Sequence, residues 1–270
     1  MSDKSGNPGK SGSDAGLSSA LRAGRALILL QLLSRLLTFA LNQGLVRLAS
    51  PAVFGTASIQ FDLIAATVLF LSREGVRNAL LRGGTSNGGG RLAQIPQQLG
   101  LAVAAATVGL YLYTSPVSTK AQKDFYPALA LYVMAALNEL AIEPFYIACM
   151  RDGRMRVRVQ AEGGMAIVRA VVSFACLYLF PDHALLGFAV GHFAGAAWLA
   201  ARYISAGGAL QGDSGDEKIR SLAWANTRQS VVKHVLTEAD RIAVGRISPL
   251  GDQGGYAVAM NYGMLQTWHG

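Results

Sequence analysis

Glu139 and Glu143 stand four residues apart in an apolar stretch, with Asn138 before them and Pro144 directly after. On a helix this spacing puts both carboxylates on one face. Like charges so close tend to keep a proton or attract a cation. The pair therefore reads either as a cavity wall or proton- or cation-coupled site, or as a partner for Arg35 or Arg169 that only orients helices. Pro144 removes a backbone donor and should bend its helix. Arg73 and Arg77 close an earlier apolar stretch, with Glu74 between them. One turn apart, their forked guanidinium donors have the geometry to clasp a phosphate; headgroup anchoring is the simpler reading. Arg35 lies in the middle of the first apolar stretch, among Gln31, Ser34, Asn42 and Gln43, and Asp62 lies in the second. A charge at the centre of a membrane helix costs about 2.5–3.5 kcal/mol, which drives it toward the bundle interior or a wet cavity.

The elements that carry these residues read as membrane helices. The 270-residue chain is 51% hydrophobic and 15% charged, where a soluble domain carries about 25% charge. Its mean hydropathy is +0.32. Six apolar segments follow one another: Ala26–Val46, Phe54–Ser72, Ile95–Thr114, Tyr126–Met150, Gly163–Phe180 and Ala184–Arg202. Each is near the length that crosses a bilayer. Tyr111, Tyr113, Tyr126, Tyr178 and Tyr203 fall near segment ends, where amphipathic rings prefer the headgroup level. Basic residues alternate by loop. Lys4, Lys10, Arg22 and Arg25 precede the first segment, Arg73 to Arg91 follow the second, Arg151 to Arg158 follow the fourth, and Arg202 to Lys233 follow the sixth. The opposite loops hold only Arg47, Lys120 and Lys123. The positive-inside rule then places the N-terminus in the cytosol. Because the excess of +8 falls in these short bursts, it does not form the basic face that nucleic acid needs.

Residues 1–22 are polar and Gly/Ser-rich and read as a disordered cytosolic tail. Residues 23–204 form the six-helix bundle and 205–226 a cytosolic linker, with Gly88–Gly90 a smaller flexible insert. From 227 to 270 the pattern is the start of a second bundle. An amphipathic helix over Thr227–Ile247 puts Val231, Val235, Ala239 and Ile242 on one face. Another apolar helix opens near Tyr256 and is too short at Gly270 to span, so the chain reads as the N-terminal part of something longer. Gly187, Gly191 and Gly195 make a small-residue stripe for close helix packing, and His192 beside it reads as packing. Cys149 and Cys176 are too few for a disulfide framework. There is no P-loop, no HExxH and no Cys/His ligand spacing. The expectation is a protein without cofactor or bound metal, and not an enzyme, since no nucleophile–base constellation is visible.

Several blocks together resemble one family: LLQLLSRLLTFALNQGLVR (Leu29–Arg47), VLFLSREGVRNALLRGG (Val68–Gly84), NELAIEPFYI (Asn138–Ile147), RQSVVKHVLTEADRIAV (Arg228–Val244) and GDQGGYAVAMNYG (Gly251–Gly263). They are similar to the eukaryotic oligosaccharide translocation family of the endoplasmic reticulum, within the multidrug/oligosaccharidyl-lipid/polysaccharide flippase superfamily. The resemblance implies an all-α polytopic membrane protein, with the first six-helix half of a flippase-like bundle and the start of the second. It implies an endoplasmic reticulum location and, as partners, membrane lipids, other N-glycosylation proteins and a dolichol-diphosphate glycolipid bearing five mannoses. By the same resemblance, a substrate cavity would be lined by Arg35, Asn42, Arg73, Glu74, Arg77, Asn138, Glu139, Glu143, Glu238, Asp240 and Arg241. A cation-coupled small-molecule exporter of the same fold and a non-transporting scaffold of the glycolipid pathway are the alternatives.

Overall fold

The computed structural model describes residues 36, 39–41, 43–82, 90–210 and 217–266, with backbone alone for 218 and 261–266. The tail, the 83–89 insert, Arg35 and Asn42 lie outside the described residues. Among the described residues the protein is helical, without strands. Helix α1 is described over residues 43–48. It is followed by α2 (Pro51–Gly55), a π-helical turn (Thr56–Phe61), α3 (Asp62–Arg82) and α4 (Gly90–Thr114). Then come α5 (Val117–Lys120), α6 (Phe125–Ala141), α7 (Glu143–Arg151), α8 (Met155–Leu179) and α9 (Ala184–Ala206). The chain continues with α10 (Glu217–Thr237), α11 (Ala239–Ile247) and α12 (Leu250–Gln266).

Four of these stretches are long and apolar enough to cross a membrane: Pro51–Arg82, Gly90–Thr114, Met155–Leu179 and Pro181–Ala206. The bent pair α6–α7 makes a fifth. They recover the second to sixth apolar segments; most of the first lies outside the described residues. The surface fits lipid as the solvent. Leu101, Leu110, Val171 and Leu179 are exposed, an outward apolar face that hydrocarbon accepts and water does not. Together the spans make this an all-α, multi-pass membrane protein.

Pro144 bends the fourth span as its chemistry requires. Helix α6 ends at Ala141, α7 restarts at Glu143, and the two axes differ by 42°. Proline cannot donate to Leu140 one turn back, and its ring crowds that carbonyl. Close approach elsewhere depends on glycine. A Cβ on Gly187 would meet Leu177 and Cys176, one on Gly191 would meet Ser173 and the Arg169 carbonyl, and one on Gly195 would meet Met165 and Arg169. The stripe thus faces α8 along its length. Gly75 does the same for α10, where an added Cβ would lie 2.6 Å from the Thr227 backbone nitrogen. Gly254 brings α12 against the Pro51 carbonyl.

The arginine-rich loops gather at one end of the bundle and close helix C-termini. Arg151 donates to the Leu80 carbonyl at 2.8 Å and Arg154 to the Ala206 carbonyl at 2.8 Å. Cations there complement the negative ends of α3 and α9. At the other end Tyr113, Tyr126 and Tyr178 are exposed, as the aromatic-belt reading expects. Tyr111 and Tyr203 depart from it. Tyr203 is buried against Tyr146, and Tyr111 turns inward to donate to Gln60 at 2.6 Å. Each finds an aromatic or amide partner in the bundle that a headgroup would otherwise supply.

Two further expectations are corrected. Residues 217–226, assigned to the linker by composition, form the first turns of α10. The single helix over Thr227–Ile247 is broken at Glu238, and its apolar face does not meet the bundle. Val231 and Val235 are exposed, while Ile219, Ala223, Ser230 and His234 are buried. The close contact of Gly75 with the Thr227 backbone selects that side of α10.

Gly191→Val tests the packing. Overpacking of this kind costs about 1–3 kcal/mol, so the variant should melt several degrees lower in detergent by intrinsic fluorescence, while Gly109→Val, at a position open within 4 Å, should melt as the parent does.

Candidate functional site

The register between α3 and the bent α6–α7 span organises the site. Both run in the same direction, and Arg73 and Arg77 meet Glu139 and Glu143 pairwise, each pair 66 residues apart. Arg77 holds Glu143 with two parallel hydrogen bonds, Nε to Oε1 at 2.5 Å and Nη2 to Oε2 at 2.6 Å. This forked geometry is the strongest form of the interaction. The guanidinium also lies over the Tyr146 ring, 3.9 Å from its centroid. The Arg73–Glu139 contact is a single one at 3.4 Å. Both carboxylates are buried, Glu143 to 1% exposure. The like-charged carboxyl pair read from the sequence is therefore neutralised by two arginines. Arg169 pairs with Asp62 instead, and Arg35 lies outside the described residues.

The four charges line a cavity of about 270 Å³ with Ile142, Tyr146, Glu162, Met165, Leu199 and Tyr203. A second cavity of about 440 Å³ adjoins it, with Glu162 and Met165 in both walls. Asp62, Arg169, Ser58, Ser173 and Arg241 give the larger cavity its polar lining, and Leu45, Phe54 and Phe188 its apolar one. Arg169 donates to Asp62 at 2.6 Å. Together the cavities form a polar tract inside the bundle, with cations from α3, α8 and α11.

Not every expected site residue reaches this tract. Arg241 faces the larger cavity and is braced by Glu238 one turn earlier, at 3.3 Å. Glu74 points the other way, accepting from Asn78 at 3.1 Å and pairing with Lys233 of α10 at 3.6 Å. Consecutive helical residues diverge by about 100°, so Glu74 cannot share the face of Arg73 and Arg77. Asn138 likewise lies one step off Glu139, in a lateral groove with Met134, Leu137 and Phe193. Asp240 is exposed and accepts from the Tyr256 hydroxyl at 2.6 Å. Arg35 and Asn42 lie outside the described residues.

The structure adds groups that the residue reading did not place in the site: Tyr146, Glu162, Tyr203, Asp62 and Arg169. Tyr146 was findable, since it follows Glu143 by three residues and shares its helix face. Asp62 and Arg169 were visible as intramembrane charges, but their pairing across 107 residues was not.

Comparison with known proteins now has a geometry to explain. The sequence profile of the family described as Rft protein matches residues 19–267. The chain belongs to the Rft protein family. The Man(5)GlcNAc(2)-PP-dolichol translocation protein RFT1 of Yarrowia lipolytica is 33% identical over 90% of this chain and 44% of that relative. The proteins of the same description from Schizosaccharomyces pombe and Mus musculus are 29% and 27% identical, each over 94% of this chain and over 54% and 53% of their own lengths. The chain thus spans about half the length of the curated relatives it matches. No solved structure matches it. The Rft relatives are named as translocation proteins, not as enzymes.

Breaking the buried pair gives the site's test. Arg77→Glu sets a second carboxylate against buried Glu143, and loss of one partner of such a pair costs about 3–5 kcal/mol. The expected outcome is a strong drop in steady-state protein level. The double variant Arg77→Glu/Glu143→Arg should recover most of it, as read by quantitative immunoblot and melting temperature.

Proposed function

We propose that this protein contributes one wall of a membrane-embedded path for a dolichol-diphosphate-linked five-mannose oligosaccharide, moving it or assisting its movement from the cytosolic to the lumenal leaflet of the endoplasmic reticulum. The names of the Rft relatives supply the substrate class. The observation that carries the reading is the intramembrane polar tract, in which Arg73, Arg77, Arg169 and Arg241 all face adjoining cavities. A diphosphate needs cations, and neutral sugars need paired donors and acceptors that tolerate exchange. The arginine–glutamate rows offer both kinds of group to a headgroup. The apolar parts of the walls and the lipid-facing surface suit a polyisoprenoid tail. On this reading residues 23–204 form the first half-bundle and residues from about 227 open the second. The arginine-capped end faces the cytosol, following the positive-inside rule.

The cation-coupled exporter is less well supported, because Glu139 and Glu143 are each committed to an arginine and carry no spare charge for a cation.

The test is the profile of lipid-linked oligosaccharides in cells depleted of the protein. The five-mannose intermediate should accumulate and should clear on re-expression of the full-length protein. Re-expression with Arg241→Met should leave it accumulated at normal protein level. An unchanged profile on depletion would remove the glycolipid reading.

A further inference from the structure

Behind the larger cavity lies a buried histidine that no role above uses. His192 of α9 is buried to 5% exposure, and neither ring nitrogen has a hydrogen-bond partner among the described residues. Its ring stacks on Tyr132 of α6 with centroids 4.4 Å apart and an interplanar angle of 18°. Its Nδ1 lies 3.8 Å from Asp62 Oδ1, just beyond hydrogen-bond reach. That same oxygen accepts from Arg169 at 2.6 Å. Asp62 and Arg169 line the cavity, whereas His192 does not. The carboxylate therefore stands between a cavity-facing guanidinium and a buried imidazole.

An unpaired imidazole within the membrane is costly unless it acquires a partner. The stack on Tyr132 uses the ring's face and leaves both nitrogens idle. The charged and titratable groups facing it are Asp62 from α3, Arg169 from α8 and Tyr132 from α6. Glu162 and Arg241 complete the cavity wall beyond them. With Arg169 on Asp62, the carboxylate is already compensated and offers the ring no free charge to pair with. An anion in the cavity changes this balance. It competes for Arg169, draws the guanidinium off Asp62 and leaves that carboxylate uncompensated. A protonated His192 behind the cavity is then placed to pair with it.

We infer that Asp62, Arg169 and His192 form a site that binds one anionic phosphate group and one proton together. This rests on the glycolipid reading above, and it specifies how the diphosphate would be held. The phosphate oxygens take the Arg169 guanidinium, and the proton enters on the His192 imidazole, which then donates to Asp62. Charge balances, since the ion pair lost at Asp62–Arg169 is replaced by one at Asp62–His192. The sign follows from linkage. Binding takes up a proton, so affinity rises as pH falls, and reciprocally the bound anion holds the proton more tightly.

The test uses the full-length protein in nanodiscs of zwitterionic phosphatidylcholine, which removes competing anionic headgroups. The probe is a short-chain polyprenyl-diphosphate chitobiose, a diphosphate diester that does not itself titrate between about pH 5 and 8. Calorimetry in two buffers of different ionisation enthalpy should show net proton uptake on binding. Affinity should rise severalfold, and at most about tenfold, for each pH unit lowered. His192→Gln should flatten that dependence. Asp62→Asn frees Arg169 outright, and should bind the probe more tightly than the parent at neutral pH with no dependence on pH. That gain separates the proposal from simple loss of folding. An unaltered pH slope in His192→Gln, or weakened binding in folded Asp62→Asn, would overturn the inference and leave the glycolipid reading intact. No binding of the probe by the parent at any pH would remove both.

Discussion

Charges inside a membrane must be paired, and this structure is arranged around that requirement. Arg73 and Arg77 meet Glu139 and Glu143 in register, and Arg169 meets Asp62. These contacts fix α3 against α6–α7 and α8 in both rotation and height. A shift of one residue would turn a guanidinium toward lipid and strand a buried carboxylate, a cost larger than any packing contact could offset. The bend at Pro144 serves the same end, because it lets the lower half of the fourth span keep Glu143 against Arg77.

Elsewhere the helices approach closely through glycine. Glycines at 187, 191 and 195 pull α9 onto α8, and Gly75 pulls α10 onto α3. The π-helical turn adds a further link. Gln60 within it donates to Gln253 of α12 at 2.6 Å, and accepts from Tyr111 of α4. This buried amide contact joins the first bundle to the later helices without a charge, and its geometry is open to rearrangement in a way a forked ion pair is not. Such turns are frequent at functional sites.

The polar tract differs from a fixed binding pocket in one respect. Its cations are already occupied by carboxylates, so a ligand must exchange partners with the protein and cannot simply fill a vacancy. Charge stays balanced in such an exchange only where a proton or cation enters with the anion. The loosely held Arg73–Glu139 contact and the tight Arg77–Glu143 fork would then differ in how readily they yield.

The sequence by itself determined the membrane helices, their order and the gathering of arginines at one end, because hydrophobic length and loop charge are local properties that need no partner. It also determined the bend at Pro144 and the tight face at Gly187, Gly191 and Gly195, where backbone chemistry and residue size act within one helix. Pairing was another matter. Glu139 and Glu143 were legible as two carboxylates on one face, yet their neutralisation by Arg73 and Arg77 depends on a register between helices that no single-helix period encodes. Glu74, Asn138 and Asp240 were expected in the site with their neighbours, and the helical turn of about 100° per residue carried them to other faces. The apolar face of Val231 and Val235 looked core-facing until the close contact at Gly75 selected the opposite side of α10. Only tertiary structure could decide these, because each is a competition between faces, settled by what the neighbouring helix presents.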